Sequence, residues 1–257
     1  MLREQTLFGL QDRVEIAIER LRTFEPSEGY HLAFSGGKDS QTIYELSIMA
    51  GVRFDAHMSL TTVDPPELLS FVKANYPAVE LHRPKESMWR LIRRRGTFPT
   101  RIMRFCCESL KETQGDGRTV MTGVRAAESV KRAKRSMVEK GRRGNRTYLH
   151  PIIDWTEADV WQFHAERGLP HVCLYDEGWT RVGCIGCPMA THANRVRDFA
   201  RWPGYRQAYL NTMRRVMVEK PHVTARPADT AAGMMAWWLE ESPKQEGSEC
   251  YLLDLWS

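Results

Sequence analysis

Tyr30-His31-Leu32-Ala33-Phe34-Ser35-Gly36-Gly37-Lys38-Asp39-Ser40 is the stretch on which the fold turns. Its first five residues form a short, largely apolar run, fit for a buried strand. Residues 38–50 then place Ile43, Leu46 and Met49 or Ala50 on one helical face. Between strand and helix lies a loop suited to an anion. Gly36 and Gly37 let backbone N–H groups face a ligand with no Cβ in the way. The helix mouth adds unpaired donors and a positive end. Lys38 supplies a point charge, and Ser35 and Ser40 supply hydroxyls. Asp39 has no place in a pure anion site, but it makes sense if Mg²⁺ rides on the phosphates. The string is not the G-x-x-x-x-G-K-[ST] loop. The bland alternative is an ordinary Gly-Gly turn, and the strand before and the helix after argue against it.

Outward from this loop, strands and helices alternate. Upstream, Leu10, Val14, Ala17, Ile18 and Leu21 predict a helix over 10–24, broken by Glu25-Pro26-Ser27-Glu28-Gly29. Downstream, Phe54, Ala56 and Met58 alternate as a second strand would. Pro66 opens a helix to about Asn75, and Val79–His82 is a weak third strand. Residues 86–95 look helical, and Thr119–Thr122 is a fourth strand. Tyr148–Ile153 is extended, and Thr156 can cap a helix over 157–167. Such alternation predicts an α/β fold, a parallel sheet of about five strands with helices on both faces. After residue 190 the pattern is helical only, near 192–200, 204–219 and 229–240. The expected organisation is an N-terminal helix (1–29), a nucleotide-binding domain with the cysteines (30–190), a helical C-terminal extension (191–240) and an acidic tail (241–257).

Composition narrows the class. A chain of 257 residues with 10% aromatics can bury a core, which excludes wholesale disorder. No run of about 18 uncharged apolar residues exists, so no membrane span or membrane partner is expected. Met1-Leu2-Arg3-Glu4-Gln5 lacks the basic-then-apolar plan of a signal peptide. The expectation is a cytoplasmic protein whose cysteines are thiols or metal ligands. Its net charge of +5 hides an asymmetry, for residues 81–147 hold 19 Lys and Arg against 6 Asp and Glu. That run is either a solvated basic face or a surface for phosphates, of a nucleotide or a nucleic acid.

The six cysteines carry a second signal. Cys106 and Cys107 are adjacent, and Cys184 and Cys187 form C-x-x-C between Gly183 and Pro188. A C-x-x-C among glycines is a metal-binding turn or a redox pair. Adjacent cysteines converge poorly on one tetrahedral ion, but can reach separate corners of an iron–sulfur cubane. The set Cys106, Cys107, Cys184 and Cys187 therefore favours a [4Fe–4S] cluster. A zinc site from Cys173, Cys184, Cys187 and His171 is the runner-up.

Ser35–Ser40 resembles the pyrophosphatase loop of the adenine-nucleotide alpha hydrolases, which cleave ATP between the α and β phosphates. Gly123-Val124-Arg125-Ala126-Ala127-Glu128-Ser129, with Arg132 following, is similar to the second nucleotide-side motif of the phosphoadenosine phosphosulfate (PAPS) reductase family. Pro151–Trp155, Asp159-Val160-Trp161, Leu174–Gly178 and Gly183–Pro188 are similar to its next block, in the family's order. The cysteine set also resembles the cluster ligands of adenosine phosphosulfate (APS) reductases and of DNA phosphorothioation sulfur-transfer proteins.

The resemblance implies an enzyme that binds an adenine nucleotide through Ser35, Gly36, Gly37, Lys38, Asp39, Ser40, Gly123 and Arg125. It leaves two chemistries. In the first, ATP with Mg²⁺ adenylates an acceptor oxygen, and Lys38 and the loop amides stabilise the leaving pyrophosphate. Arg125 makes a further phosphate contact. A sulfur held at the cluster or on a cysteine then displaces AMP; the basic segment suits a nucleic-acid acceptor, and a sulfur donor is implied. In the second, APS or PAPS is reduced to sulfite by a thioredoxin-like reductant, with Cys250 as nucleophile. Family reductases carry Glu-Cys-Gly-Leu-His near the C-terminus, where this chain has Glu249-Cys250-Tyr251-Leu252-Leu253. Glu246, Glu249 and Asp254 beside Cys250 would raise its thiol pKa. The complete loop with Lys38 favours ATP, since a reductase has no β–γ pyrophosphate to expel. A non-catalytic nucleic-acid-binding module with a structural metal site would leave that loop idle.

Overall fold

The computed structural model describes residues 2–6, 9–141, 145–221 and 227–240. Cys250 and the acidic segment 241–257 lie outside the described residues.

The chain opens with β1 (Arg3–Thr6) paired antiparallel to β2 (Gly9–Asp12), and α1 (Arg13–Thr23) follows. This corrects the expected N-terminal helix over 10–24. Asp12 is extended, and its carboxylate accepts from Val14 N and Glu15 N, which fixes the helix start and leaves Leu10 in β2. Next come β3 (Tyr30–Ala33), α2 (Lys38–Ala50), β4 (Phe54–Ser59), α3 (Pro66–Asn75), β5 (Glu80–His82), α4 (Met88–Arg95) and α5 (Phe105–Leu110). Then follow β6 (Thr119–Met121), α6 (Val130–Ala133), β7 (Val138–Lys140), β8 (Thr147–Leu149) and α7 (Glu157–Arg167). The chain continues through α8 (His192–Arg201), α9 (Pro203–Glu219) and α10 (Ala231–Glu240).

These elements fall into two units. The first combines Met1–Met88 with Phe105–Cys184, and the second combines Trp89–Arg104 with the residues from Ile185 onward.

The first unit holds a six-stranded sheet of order β5-β4-β3-β6-β8-β7. Five strands are parallel, and β7 is antiparallel to β8. The sequence pattern had suggested about five strands. The addition is β7, a Val-Glu-Lys triplet inside the basic run that carries no apolar alternation of its own. The extended segment expected to reach Ile153 stops at Leu149. Turn bonds from Ile153 N to His150 O and from Trp155 N to Ile152 O close the chain there. Thr156 caps α7 as expected, in a reciprocal box with Asp159.

The sheet order matters for function. From β3 the chain winds outward to β4 and β5 on one side, then crosses to β6 and β8 on the other. The loops after β3 and β6 therefore leave in opposite directions and open a crevice at the C-terminal strand ends, where open α/β sheets bind ligands.

The second unit is built around Trp238, which is fully buried. Its indole N–H donates to Pro99 O at 2.7 Å, and the rings of Phe98 and Tyr209 lie 4.6 and 4.9 Å away. Buried Arg195 donates to the carbonyls of Trp238 and Leu239, holding the end of α10. Gly186 has φ +71°, and a Cβ there would stand 2.5 Å from the Phe199 ring, so the C-x-x-C turn admits only glycine at this position.

Candidate functional site

The loop after β3 is shaped by two contacts that only glycine permits. Gly36 has φ +72°, and a Cβ on it would lie 2.6 Å from Leu68 Cδ1 and 2.7 Å from Val72 Cγ2 of α3. Gly123, in the loop after β6, would place a Cβ 2.7 Å from Asp39 Cβ. The two loops of the crevice thus meet at van der Waals distance. Arg125, from the same loop as Gly123, is buried and donates from Nε to Asp39 Oδ1 at 2.7 Å.

Within the loop, backbone amides are partnered by hydroxyls. Ser35 N donates to Ser40 Oγ at 3.2 Å, and Gly37 N to Ser35 Oγ at 3.4 Å. Lys38 N donates to the phenol oxygen of Tyr175 at 3.1 Å. Burial pushes the Tyr175 hydroxyl up to about 12, so it stays protonated. Ser40 Oγ also donates to Gly37 O, and Gln41 Nε2 to Gly36 O. Gly37 caps α2 without any side-chain hydrogen bond. Hydroxyl partners are exchangeable in a way that helix or sheet carbonyls are not: a phosphate oxygen is a stronger, charged acceptor for the same N–H.

Lys38 does not stand in open solvent. It is 3% exposed. Its Nζ donates to Thr180 O at 3.0 Å and lies 3.4 Å from Glu157 Oε1 and 3.9 Å from Asp39 Oδ2. The ammonium also sits 5.4 and 5.9 Å from the ring centroids of Tyr175 and Trp161. Sequence reading missed Tyr175, Trp161, Glu157 and Thr180 as parts of this site. Tyr175 and Trp161 lie in the family-like blocks Asp159–Trp161 and Leu174–Gly178, which was the available signal.

His164 of α7 closes the back of the loop, its ring Nε2 donating to Lys38 O at 2.9 Å. Its Nδ1 is buried without a hydrogen-bond partner among the described residues. Burial holds this imidazole below its ordinary value of 6.5, against the pull of the Lys38 hydrogen bond. The folded protein therefore keeps His164 neutral at pH values where the unfolded chain protonates it. Its contribution to stability is present above about pH 6.5 and is lost as pH falls below that value. Thermal melts should show a falling Tm between pH 7 and pH 5. His164→Gln, which keeps the donor to Lys38 O, should reduce that slope; His31 and His150, also lowered by burial, account for the remainder.

A cavity of about 310 Å³ adjoins the loop. It is lined by Ser35 and Phe34 after β3, by Thr122 and Val124 after β6, and by Arg135 and Arg146 from the basic run. That volume is at the lower end of the roughly 300–1,000 Å³ typical of small-molecule sites.

The structure thus gathers Ser35, Gly36, Gly37, Lys38, Asp39, Ser40, Gly123 and Arg125 into one place. The cysteines are distributed differently. Cys106 and Cys107 open α5, Cys106 buried and Cys107 half-buried. Cys184 is half-buried, and its thiol donates to Thr61 Oγ1 at 3.4 Å. These three belong to the first unit and Cys187 to the second. No described cysteine is in a disulfide. Cys106, Cys107 and Cys184 do not form a group with ligand atoms within 4.8 Å of one another. Nor do His171, Cys173 and Cys184 of the zinc alternative; His171 is bonded to Asp176 Oδ1 at 2.8 Å instead. Among the described residues, no helix is long and apolar enough to cross a membrane.

Residues 29–190 match the family model of the phosphoadenosine phosphosulfate reductase domain. An uncharacterised protein of Methanocaldococcus jannaschii is 28% identical over 194 residues, 71% of this chain and 47% of that protein. The adenosine 5'-phosphosulfate reductase of Oceanobacillus iheyensis is 26% identical over 146 residues, 54% of this chain and 61% of that protein. The chain therefore spans about half to three fifths of the length of these two relatives. The crystal structure of phosphoadenylyl-sulfate reductase from Candida auris, a phosphate complex, superposes with a TM-score of 0.51 at 18% identity. It covers 65% of this chain and 87% of that one, a likeness of fold.

Proposed function

This chain belongs to the phosphoadenosine phosphosulfate reductase domain family, and from that membership we propose that it binds ATP and splits it between the α and β phosphates in support of sulfur transfer. The observation that carries this reading is the complete loop at the β3–β6 crevice, its amides held by hydroxyls and its Asp39 tied to Arg125.

In this reading the β and γ phosphates displace Ser35 Oγ and the Tyr175 hydroxyl from the amides of Gly37 and Lys38. Lys38 exchanges Thr180 O and Glu157 for phosphate oxygens. An acceptor oxygen attacks the α phosphorus, the new O–P bond forms, and the bond to the β-phosphate oxygen breaks. Pyrophosphate leaves with the charge, stabilised by Lys38 and the loop amides. Arg125 is the contact for the remaining adenylate. Trp161 and Tyr175 cover the loop and exclude water from it. Asp39 would hold Mg²⁺, whose chemistry is to neutralise charge on the phosphates.

Cys106, Cys107, Cys184 and Cys187 would hold a [4Fe–4S] cluster. The donor set is all thiol, with no described member in a disulfide. Such a cluster supplies a sulfur-binding or electron-carrying centre. Arg135 and Arg146 on the cavity wall suit a phosphate-bearing acceptor such as a nucleic acid.

Anaerobically purified, iron-replete protein tests the reading. Pyrophosphate release from ATP supports it, and the absence of that release from all acceptors ends it. The relatives named as adenosine 5'-phosphosulfate reductases favour a second reading. In that case APS or PAPS yields sulfite, and Cys250→Ser abolishes the yield.

Glu157 offers a further check. It competes with the nucleotide for Lys38 and is half exposed, so its ion pair is of the order of 0.2–1 kcal/mol. Glu157→Gln should tighten ATP binding up to about fivefold, read by calorimetric titration.

A further inference from the structure

Beside the phosphate loop, β3, β4 and β5 carry a row of ligand-type side chains that the proposed chemistry leaves unused. The parallel register sets His31 beside Asp55, and His57 beside Glu80. Residues two apart on a strand share a face. His31, Asp55, His57, Glu80 and His82 therefore project from one face of three adjacent strands.

His57 is engaged through both ring nitrogens. Its Nε2 meets Asp55 Oδ2 in a close contact. Its Nδ1 lies 2.7 Å from His82 Nε2 and 3.4 Å from Glu80 Oε2. Asp55 is itself gripped by Arg118, with NH1 at 3.2 Å from Oδ2. His31 stacks on His57, ring centroids 4.3 Å apart and planes within 7°.

These contacts assign roles. A carboxylate only accepts, so the Asp55 contact requires the proton of neutral His57 on Nε2. The Nδ1 lone pair then accepts from His82 Nε2–H and faces the Glu80 carboxylate, and a bound metal ion would take the place of that proton. Two groups of three have ligand atoms within 4.8 Å of one another: His31–Asp55–His57 and His57–Glu80–His82. The first contains the carboxylate already neutralised by Arg118, whose guanidinium would repel a cation there. In the second, Glu80 lies against the imidazoles of His57 and His82 and opens the group to solvent. A histidine ligand whose other nitrogen donates to a carboxylate is the usual outer support of a metal site.

The geometry points to a divalent transition-metal site of the zinc type, formed by His57 Nδ1, the Glu80 carboxylate and His82 Nε2, with Asp55 as its positioning residue. Two imidazoles and one carboxylate leave a fourth position for water, the arrangement of open zinc centres. Through His57 the site borders the cavity that reaches Ser35.

The test is equilibrium dialysis of the full chain against Zn²⁺ alone, with bound metal counted. Cys184→Ser serves as the control for zinc held by thiols. Wild type should bind one equivalent that Cys184→Ser retains and His82→Gln loses. Glu80→Gln, at an exposed position, should weaken this equivalent at least tenfold. Asp55→Asn should weaken it by about 10–100-fold. Circular dichroism checks that each variant is folded. Equal zinc content and affinity in wild type, His82→Gln and Glu80→Gln overturn the proposal and leave the row a hydrogen-bonded network. So does zinc that disappears only with Cys184→Ser.

Discussion

Lys38→Met should lower the rate of pyrophosphate release from ATP by about two to three orders of magnitude, the usual cost of losing one donor to a developing oxyanion. Methionine suits the test because Lys38 is a packed residue as well as a charged one. Its side chain is buried with its end between the Trp161 and Tyr175 rings, and an alanine would leave a void there. A methionine side chain fills most of that space. What it cannot supply is the ammonium, whose partners are Thr180 O and Glu157. Glu157 is about half exposed and rehydrates easily, and Thr180 O loses one hydrogen bond, worth about 1 kcal/mol. Thermal stability should therefore move by only a few degrees while turnover collapses. Unchanged turnover in Lys38→Met would remove the basis for placing the leaving pyrophosphate at this loop.

Gly36→Ala should have a large structural effect for a single methyl. A positive φ of +72° costs an L-residue about 1–2 kcal/mol. The added Cβ would also overlap Leu68 Cδ1 and Val72 Cγ2, both at less than 3 Å. Overpacking of this kind costs about 1–3 kcal/mol. The total, about 2–5 kcal/mol, is a large share of a typical domain's stability. If the loop yields instead of α3, the amides of Gly37 and Lys38 turn away from the crevice and ATP binding fails. Denaturant unfolding and nucleotide titration on the same variant read both effects. An alanine variant of wild-type stability and affinity would show that neither the positive φ nor the approach of α3 constrains this loop.

The parts of the fold that the sequence displays are those with local chemistry. α2 and α3 begin and end where the sequence pattern places them, because Gly37, Gly51 and Pro66 punctuate the chain. Thr156 and Asp159 announce the start of α7. The β1–β2 pair was hidden because Arg3–Thr6 has no apolar alternation to read. α5 is only six residues long, too short for a helical period to register.

The site divides in the same way. Ser35–Ser40 is contiguous, so its chemistry is visible as a string. The partner of the Lys38 amide is 137 residues away and the partner of its ammonium 142, and no spacing rule reaches that far. The histidine row is similar. His31, His57 and His82 look unrelated along the chain, and only the strand register sets them side by side.

Tucked beneath its aromatic cover, Lys38 also bears on selectivity. At this loop the resting protein shows passing polyanions no bare lysine ammonium. Orthophosphate or a stray carboxylate would have to break the ammonium's existing bonds and gain little in return. A polyphosphate long enough to take the loop amides and the lysine together recovers what it disrupts. Discrimination against the abundant small anions of a cell would then reside in a threshold set by the protein's own internal contacts, before any recognition of the base begins.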